Sequence, residues 1–230
     1  MRPIQKYYLM LLGIASLILC CPAVPLRAQS SESGERGYFD GSKPFYAGLV
    51  AGLNVSTVQR DNFSGYHQPG LNAGATVYWH FAAPLAFSID LLFSQKGAKG
   101  VNTANSPYAG TYYEKYTMRL NYLEVPLLLH YIVSPKWQFG AGASYNALIS
   151  AKETYETIYP VYIDPDRFPF QKYEIDLVAS GSMKLYKGLM LQVRYQYSVT
   201  PVRKAWDVPQ GLGIGNQLNN MFVFRLAYLF

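Results

Sequence analysis

The sequence predicts an all-β fold, an eight-stranded antiparallel transmembrane β-barrel of the outer-membrane type that follows a cleaved signal peptide. Three observations predict it. Apolar and polar residues alternate with period two in eight runs, tight and long connections alternate between those runs, and the last run carries its apolar face to the terminal Phe230. Strict alternation gives a strand two unlike faces. An even number of antiparallel strands, with short turns at one end and long loops at the other, is the plan of such barrels.

Residues 1–28 have the order of a secretory signal peptide, with Arg2 and Lys6 ahead of an apolar run from Tyr7 to Cys21, then Pro22 and a neutral stretch ending at Ala28. That run is shorter than the roughly 20 residues of a membrane-spanning helix. Residues 29–44, rich in Gly and Ser, read as a flexible periplasmic lead-in, and residues 45–230 as the barrel. Both cysteines, Cys20 and Cys21, fall in the leader, so the expected mature chain has neither a disulfide nor a thiolate metal site. Net charge is +6 for the whole chain and falls to +3 without the leader cations Arg2, Lys6 and Arg27, which removes any case for nucleic-acid binding.

The first run places Phe45, Leu49, Leu53 and Val55 on one face against Gly48, Gly52 and Asn54. The second places Leu71, Val77, Trp79 and Phe81 against Asn72, Gly74, Thr76 and His80. The third sets Phe87, Ile89, Leu91 and Phe93 against Ser88, Asp90, Ser94 and Lys96. In the fourth, Leu123, Val125, Leu127 and Leu129 oppose Glu124, Pro126 and His130. Proline cannot donate to a β-ladder, so a bulge or a break in pairing is expected at Pro126. The fifth run alternates Trp137, Phe139 and Tyr145 with Gln138, Gly140 and Ser144. The sixth opposes Tyr173, Ile175 and Leu177 to Glu174, Asp176 and Ser180. The seventh opposes Leu191, Val193 and Tyr195 to Gln192, Arg194 and Gln196, and the eighth runs through Phe222, Phe224, Leu226 and Tyr228, with Arg225 on its other face.

Connections near residues 82–84, 134–135 and 186–187 are tight, whereas those around 59–70, 98–116, 151–170 and 201–219 are long. Aromatic residues near strand ends, including Trp79, Phe81, Tyr131, Trp137 and Phe139, fit interfacial girdles. A soluble barrel of the lipocalin kind would turn the same apolar face inward. The glycine-rich polar face, suited to a narrow interior, and the aromatic C-terminus favour the membrane arrangement.

With the polar face inward, Asp90, Arg194 and Arg225 fall at one depth, Glu124 and Asp176 a layer or two above, and Lys96 higher still. An eight-stranded interior is just wide enough to be filled by side chains, and unpaired charge there is costly. These six residues are therefore the candidate lumen charge cluster, read as an ionic plug, with a small gated porin-like conduit as the alternative. A second candidate surface lies in the tyrosine-rich loops, at Tyr108, Tyr112, Tyr113, Tyr116, Tyr155, Tyr159, Tyr162 and Phe168. Amphipathic aromatic residues suit recognition; a protein partner, a glycan and the lipopolysaccharide headgroups all fit.

The whole of residues 45–230 resembles the PorT-like outer-membrane β-barrel proteins of Bacteroidetes, on FYAGLVAGLN, PGLNAGATVYW, FSQKGAKG, NYLEVPLLLHY, FGAGASYNALI, LQVRYQYSVTPV and FRLAYLF. The SQKG and YLEVP elements are its more specific parts. The resemblance implies an integral protein of the Gram-negative outer membrane with a structural or binding role, in contact with membrane lipid and lipopolysaccharide, and accessory to type IX secretion or another outer-membrane complex. It brings no catalytic motif.

An outer-membrane enzyme that modifies lipid is the alternative from a different class. Its candidates are His67, His80 and His130, but the latter two precede short turns on the periplasmic side. The GLGIG stretch, Gly211 to Gly215, lacks the strand and helix of a dinucleotide site and reads as a flexible loop. Asp164 and Asp166 read as a surface turn in preference to a calcium site. No catalytic, cofactor or metal residue is assigned.

Overall fold

The computed structural model describes residues 39, 43–63, 65–106, 110–157, 160–161, 163, 167–209 and 211–230. The signal-peptide assignment, most of the lead-in, and Tyr108, Tyr159, Tyr162, Asp164 and Asp166 lie outside them. The described residues form eight long strands: β1 Phe45–Asp61, β2 Gln68–Ala82, β3 Leu85–Ser106, β4 Gly110–Ile132, β5 Trp137–Glu156, β7 Tyr173–Tyr186, β8 Leu189–Ser198 and β9 Gly213–Leu229. A two-residue β6, Pro160–Val161, adds to the outer end of β5, and a single 3-10 turn spans Ala205–Asp207.

Each long strand pairs antiparallel with its neighbours, β4 with β5 and β1 with β9, so the order β1-β2-β3-β4-β5-β7-β8-β9 returns to β1. Closure satisfies every ladder without leaving an edge, which hydrocarbon demands because it offers backbone groups no water. The exposure pattern settles which face points inward. Along β1, Leu49 and Leu53 are 64% and 59% exposed, while Val50 and Asn54 between and beyond them are 3% and 0% exposed. The apolar face is the lipid face.

Two glycines show what the narrow interior requires. A Cβ on Gly52 would lie 2.4 Å from the Cβ of Arg225, and one on Gly140 would lie 2.5 Å from Nδ1 of His130. Both inward side chains need the space that glycine leaves.

Three features depart from the sequence reading. Residues 98–106 and 110–116, expected as a long loop, continue β3 and β4, and β5 likewise runs on to Glu156. Above Gln95, Asn121 and Ser150 the chemistry of the two faces is exchanged: Ala98, Met118 and Leu120 are buried inward, and Lys99, Arg119 and Lys152 are exposed outward. Outside the bilayer the ladder persists with the polarity of a soluble barrel, so a rule tuned to lipid-facing apolar residues stops too early. At Pro126, β3–β4 pairing is interrupted between Ile89↔Leu127 and Leu92↔Glu124 without a register shift. The strand breaks its ladder to β3 there, one of the two outcomes expected, and forms no bulge. The bulge falls instead at Ile149, where β5 gains a residue between the pairs Tyr122↔Leu148 and Asn121↔Ser150. The GLGIG stretch also differs, since Gly213 to Gly215 open β9.

Candidate functional site

The interior carries two ionic networks. In the lower one, Asp90 on β3 faces β8 and β9: Arg194 Nη2 lies 2.7 Å and Arg225 Nη2 2.8 Å from Asp90 Oδ2. Thr76 Oγ1 donates to the other oxygen, Asp90 Oδ1, at 2.5 Å. Arg225 Nε donates to Gln192 Oε1 at 2.7 Å, and Gln192 Nε2 donates to the Tyr78 hydroxyl at 2.9 Å. Four strand steps round the ring separate β3 from β8, so the Asp90–Arg194 ion pair spans the lumen.

In the upper network, Lys96 Nζ is 2.7 Å from Glu124 Oε1, 2.6 Å from Glu174 Oε1 and 2.6 Å from Asp176 Oδ2. Asn219 Nδ2 donates to Glu174 Oε2 at 2.7 Å. The ammonium donates hydrogen bonds to Glu174 and Asp176 and meets Glu124 as an ion pair. All six residues of the candidate lumen cluster are thus in ion pairs, but in two groups. Glu174 belongs with them and was omitted from the candidate set, although it shares the inward parity of Asp176 two residues on.

Apolar layers lie at either end. Toward the short turns, Tyr46, Tyr78, Met190 and Leu229 cluster with Phe39, whose ring centroid is 4.8 Å from that of Tyr46. Phe39 itself is buried in this cluster. Toward the long loops, Val58, Phe63, Met118, Leu120 and Val202 cluster with Tyr116 and Tyr122.

A model of the outer membrane protein beta-barrel domain matches residues 27–204. The chain belongs to that family. It is an outer-membrane protein, in contact with the lipid of that membrane. Among solved structures it is similar to Ail, the attachment invasion locus protein of Yersinia pestis, with a TM-score of 0.45 and 9% identity over 82% of this chain and 100% of that one. It is also similar to OprG from Pseudomonas aeruginosa, with a TM-score of 0.39 and 11% identity over 81% of this chain and 96% of that one. No curated protein matches the chain.

The outer end of this family member carries the remaining candidates. Tyr113 is exposed and Tyr112 half-buried. Tyr116, expected on a loop surface, is instead buried, stacked on Phe63 at 4.8 Å between centroids and donating its hydroxyl to Glu153. Tyr155, half-buried, is pushed up to about 12 by burial and then by its hydrogen bond to Glu114, so it remains a phenol donor. The carbonyl of Phe168 accepts from Arg203 Nη2 at 3.2 Å.

Arg203 and Glu153 form a pair that sequence reasoning missed. Nη1 and Nη2 donate to the two Glu153 oxygens at 3.0 and 2.7 Å, a bidentate geometry, and the guanidinium sits 3.8 Å above the Phe170 ring. Glu153 points inward only because the Ile149 bulge shifts the parity of β5. Of the histidines, His67 is exposed, whereas His130 is buried with Nε2 2.8 Å from Ser88 Oγ.

Proposed function

We propose that this outer-membrane barrel is a sealed scaffold that works through its surfaces, its lumen plugged by side chains. The layering of the interior carries this reading: an apolar layer, an Asp90 network, a Lys96 network and a second apolar layer lie in series. An ion in transit would have to part salt bridges strengthened by a low dielectric. It would also have to cross apolar layers that replace none of its hydration. Enzymatic chemistry fits poorly with the same interior, because Ser88 and His130 are 0% and 1% exposed and offer a substrate no approach.

The finer role we propose is that of an accessory subunit, in a Bacteroidetes outer membrane, beside a type IX secretion machine or another envelope complex. The likeness of SQKG and YLEVP to PorT-like barrels supports this, and the exposed Tyr113 gives the outer hairpin a contact residue. Reconstitution in planar bilayers tests the plug: the wild-type barrel is expected to give no steady conductance, and stable unitary steps would refute it. Mild-detergent extraction of a tagged barrel tests the accessory role, which requires stoichiometric recovery of a larger assembly.

A further inference from the structure

We infer that the outward face of β3, β4 and β5 just above the bilayer is a docking site for the phosphate groups of lipopolysaccharide. This goes beyond the sealed-lumen reading and stands whether or not the lumen conducts. The exposed side chains of Lys99, Lys115, Arg119 and Lys152, with Thr117 and Thr154 among them, line a depression of about 260 Å³. Glu156 is the one carboxylate in the lining, and it is 3.2 Å from Lys115. Among the described residues, Lys99, Arg119 and Lys152 have no carboxylate partner.

The register makes the arrangement unfavourable in isolation. Arg119 and Lys152 are directly paired across β4 and β5, and Lys99 is paired with Thr117 in the next outward row. Like charges directly opposite one another destabilise a sheet. The pair arises from the Ile149 bulge, which turns Lys152 outward beside Arg119 when unbroken alternation would have turned it inward. The geometry therefore brings cations together and supplies too little negative charge of its own. An anionic occupant resolves the repulsion.

Height identifies the occupant. On β4 the lipid-facing apolar residues end at Leu123, and Arg119 lies four residues further out. That is about 13 Å of strand, or about 10 Å along the membrane normal at the usual barrel tilt. Long cationic side chains there reach back toward the interface. The site faces outward, in line with the lipid-facing surface below it, so a headgroup whose acyl chains pack on Leu123 and Val125 brings its phosphates to these four residues. The threonine hydroxyls add neutral donors.

The test offers the full barrel in detergent micelles either bisphosphorylated lipid A or its dephosphorylated counterpart, with lipid retained after washing read by mass spectrometry. The wild type is expected to retain the phosphorylated form preferentially. Arg119→Gln combined with Lys152→Gln should weaken that retention about thirtyfold, from the usual contribution of each cation near an anionic surface. Lys99→Gln should weaken it by a smaller step. Lys136→Gln, exposed at a periplasmic turn, should leave it unchanged. Equal retention of the two lipids, or a preference that survives in the double variant, would overturn the site. Release of the lipid by inorganic phosphate at the concentration where phosphate alone binds would assign the face to soluble anions and overturn the lipid. Because glutamines relieve the cross-strand repulsion, the double variant should unfold in urea no earlier than the wild type, which separates lost binding from lost fold.

Discussion

Near the periplasmic end of the lumen one carboxylate, Asp90, serves two guanidiniums, whereas further out one ammonium, Lys96, serves three carboxylates. With every group ionised the first cluster carries +1 and the second −2, so neither is balanced alone and the two offset each other only in part, leaving −1. The central residue, and not the number of salt bridges, therefore governs each cluster. Removing one partner of a buried ion pair leaves uncompensated charge, and that cost exceeds what the intact pair contributes.

Substitution of the two centres tests this most severely. Lys96→Met should have the largest effect, because three carboxylates then face one another without a cation. The expected loss is at least about 3–5 kcal/mol, enough for much of the chain to fail to fold into lipid vesicles. Asp90→Asn should come next, at about 3 kcal/mol, since the two guanidiniums it abandons include Arg225, which keeps its bond to Gln192. Urea unfolding in vesicles, followed by tryptophan fluorescence, reads both. If Asp90→Asn proved the more damaging, the idea that surplus like charge sets the cost would be wrong.

Peripheral members of the clusters should behave differently. Glu124→Gln removes one of three anions around a single cation, and the barrel should change by less than about 1 kcal/mol or gain stability, as buried ion groups replaced by neutral ones often do. Combined with Lys96→Met, the triple change Glu124→Gln, Glu174→Gln and Asp176→Asn should restore most of the lost stability. A double variant no better than Lys96→Met alone would not test this, so the full quadruple is the comparison to make.

The membrane-embedded part was legible because hydrocarbon imposes one rule on every strand: Leu49, Leu91, Leu127 and Phe224 must face out, and Asn54, Asp90, Glu124 and Arg225 then fall inward. Depth was legible only coarsely. Counting from the turns aligned Asp90 with Arg194 and Arg225, but it placed Lys96 above its partners, because such counts ignore the reach of a lysine side chain across the lumen to Glu174 and Asp176. Above the bilayer the rule lapses. Tyr116, Met118 and Glu153 point inward where the solvent side is polar, and the single residue Ile149 reverses the parity of β5 with no glycine or proline to announce it. The outer pair Arg203–Glu153 was invisible for that reason.

That bulge also supplies the smallest expected effect. Deleting Ile149 should remove the extra residue and make Leu148 and Ser150 successive inward and outward positions, so Glu153 stays inward on Arg203 and Lys152 stays outward beside Arg119. The lower strands keep their register, because the pairs from Tyr122↔Leu148 to Ile132↔Gln138 do not involve the deleted residue. Global unfolding in urea should therefore shift little, and protease added from outside should cut the β8–β9 connection no faster than in the wild type, because Arg203 keeps its bidentate acceptor. Arg203→Met should open the same connection without disturbing β5, since a hydrophobic side chain can still pack on Phe170 but cannot hold Glu153. If protease sensitivity rose with the deletion and not with Arg203→Met, the local bend of the bulge, and not the buried pair, would be what holds the outer end closed.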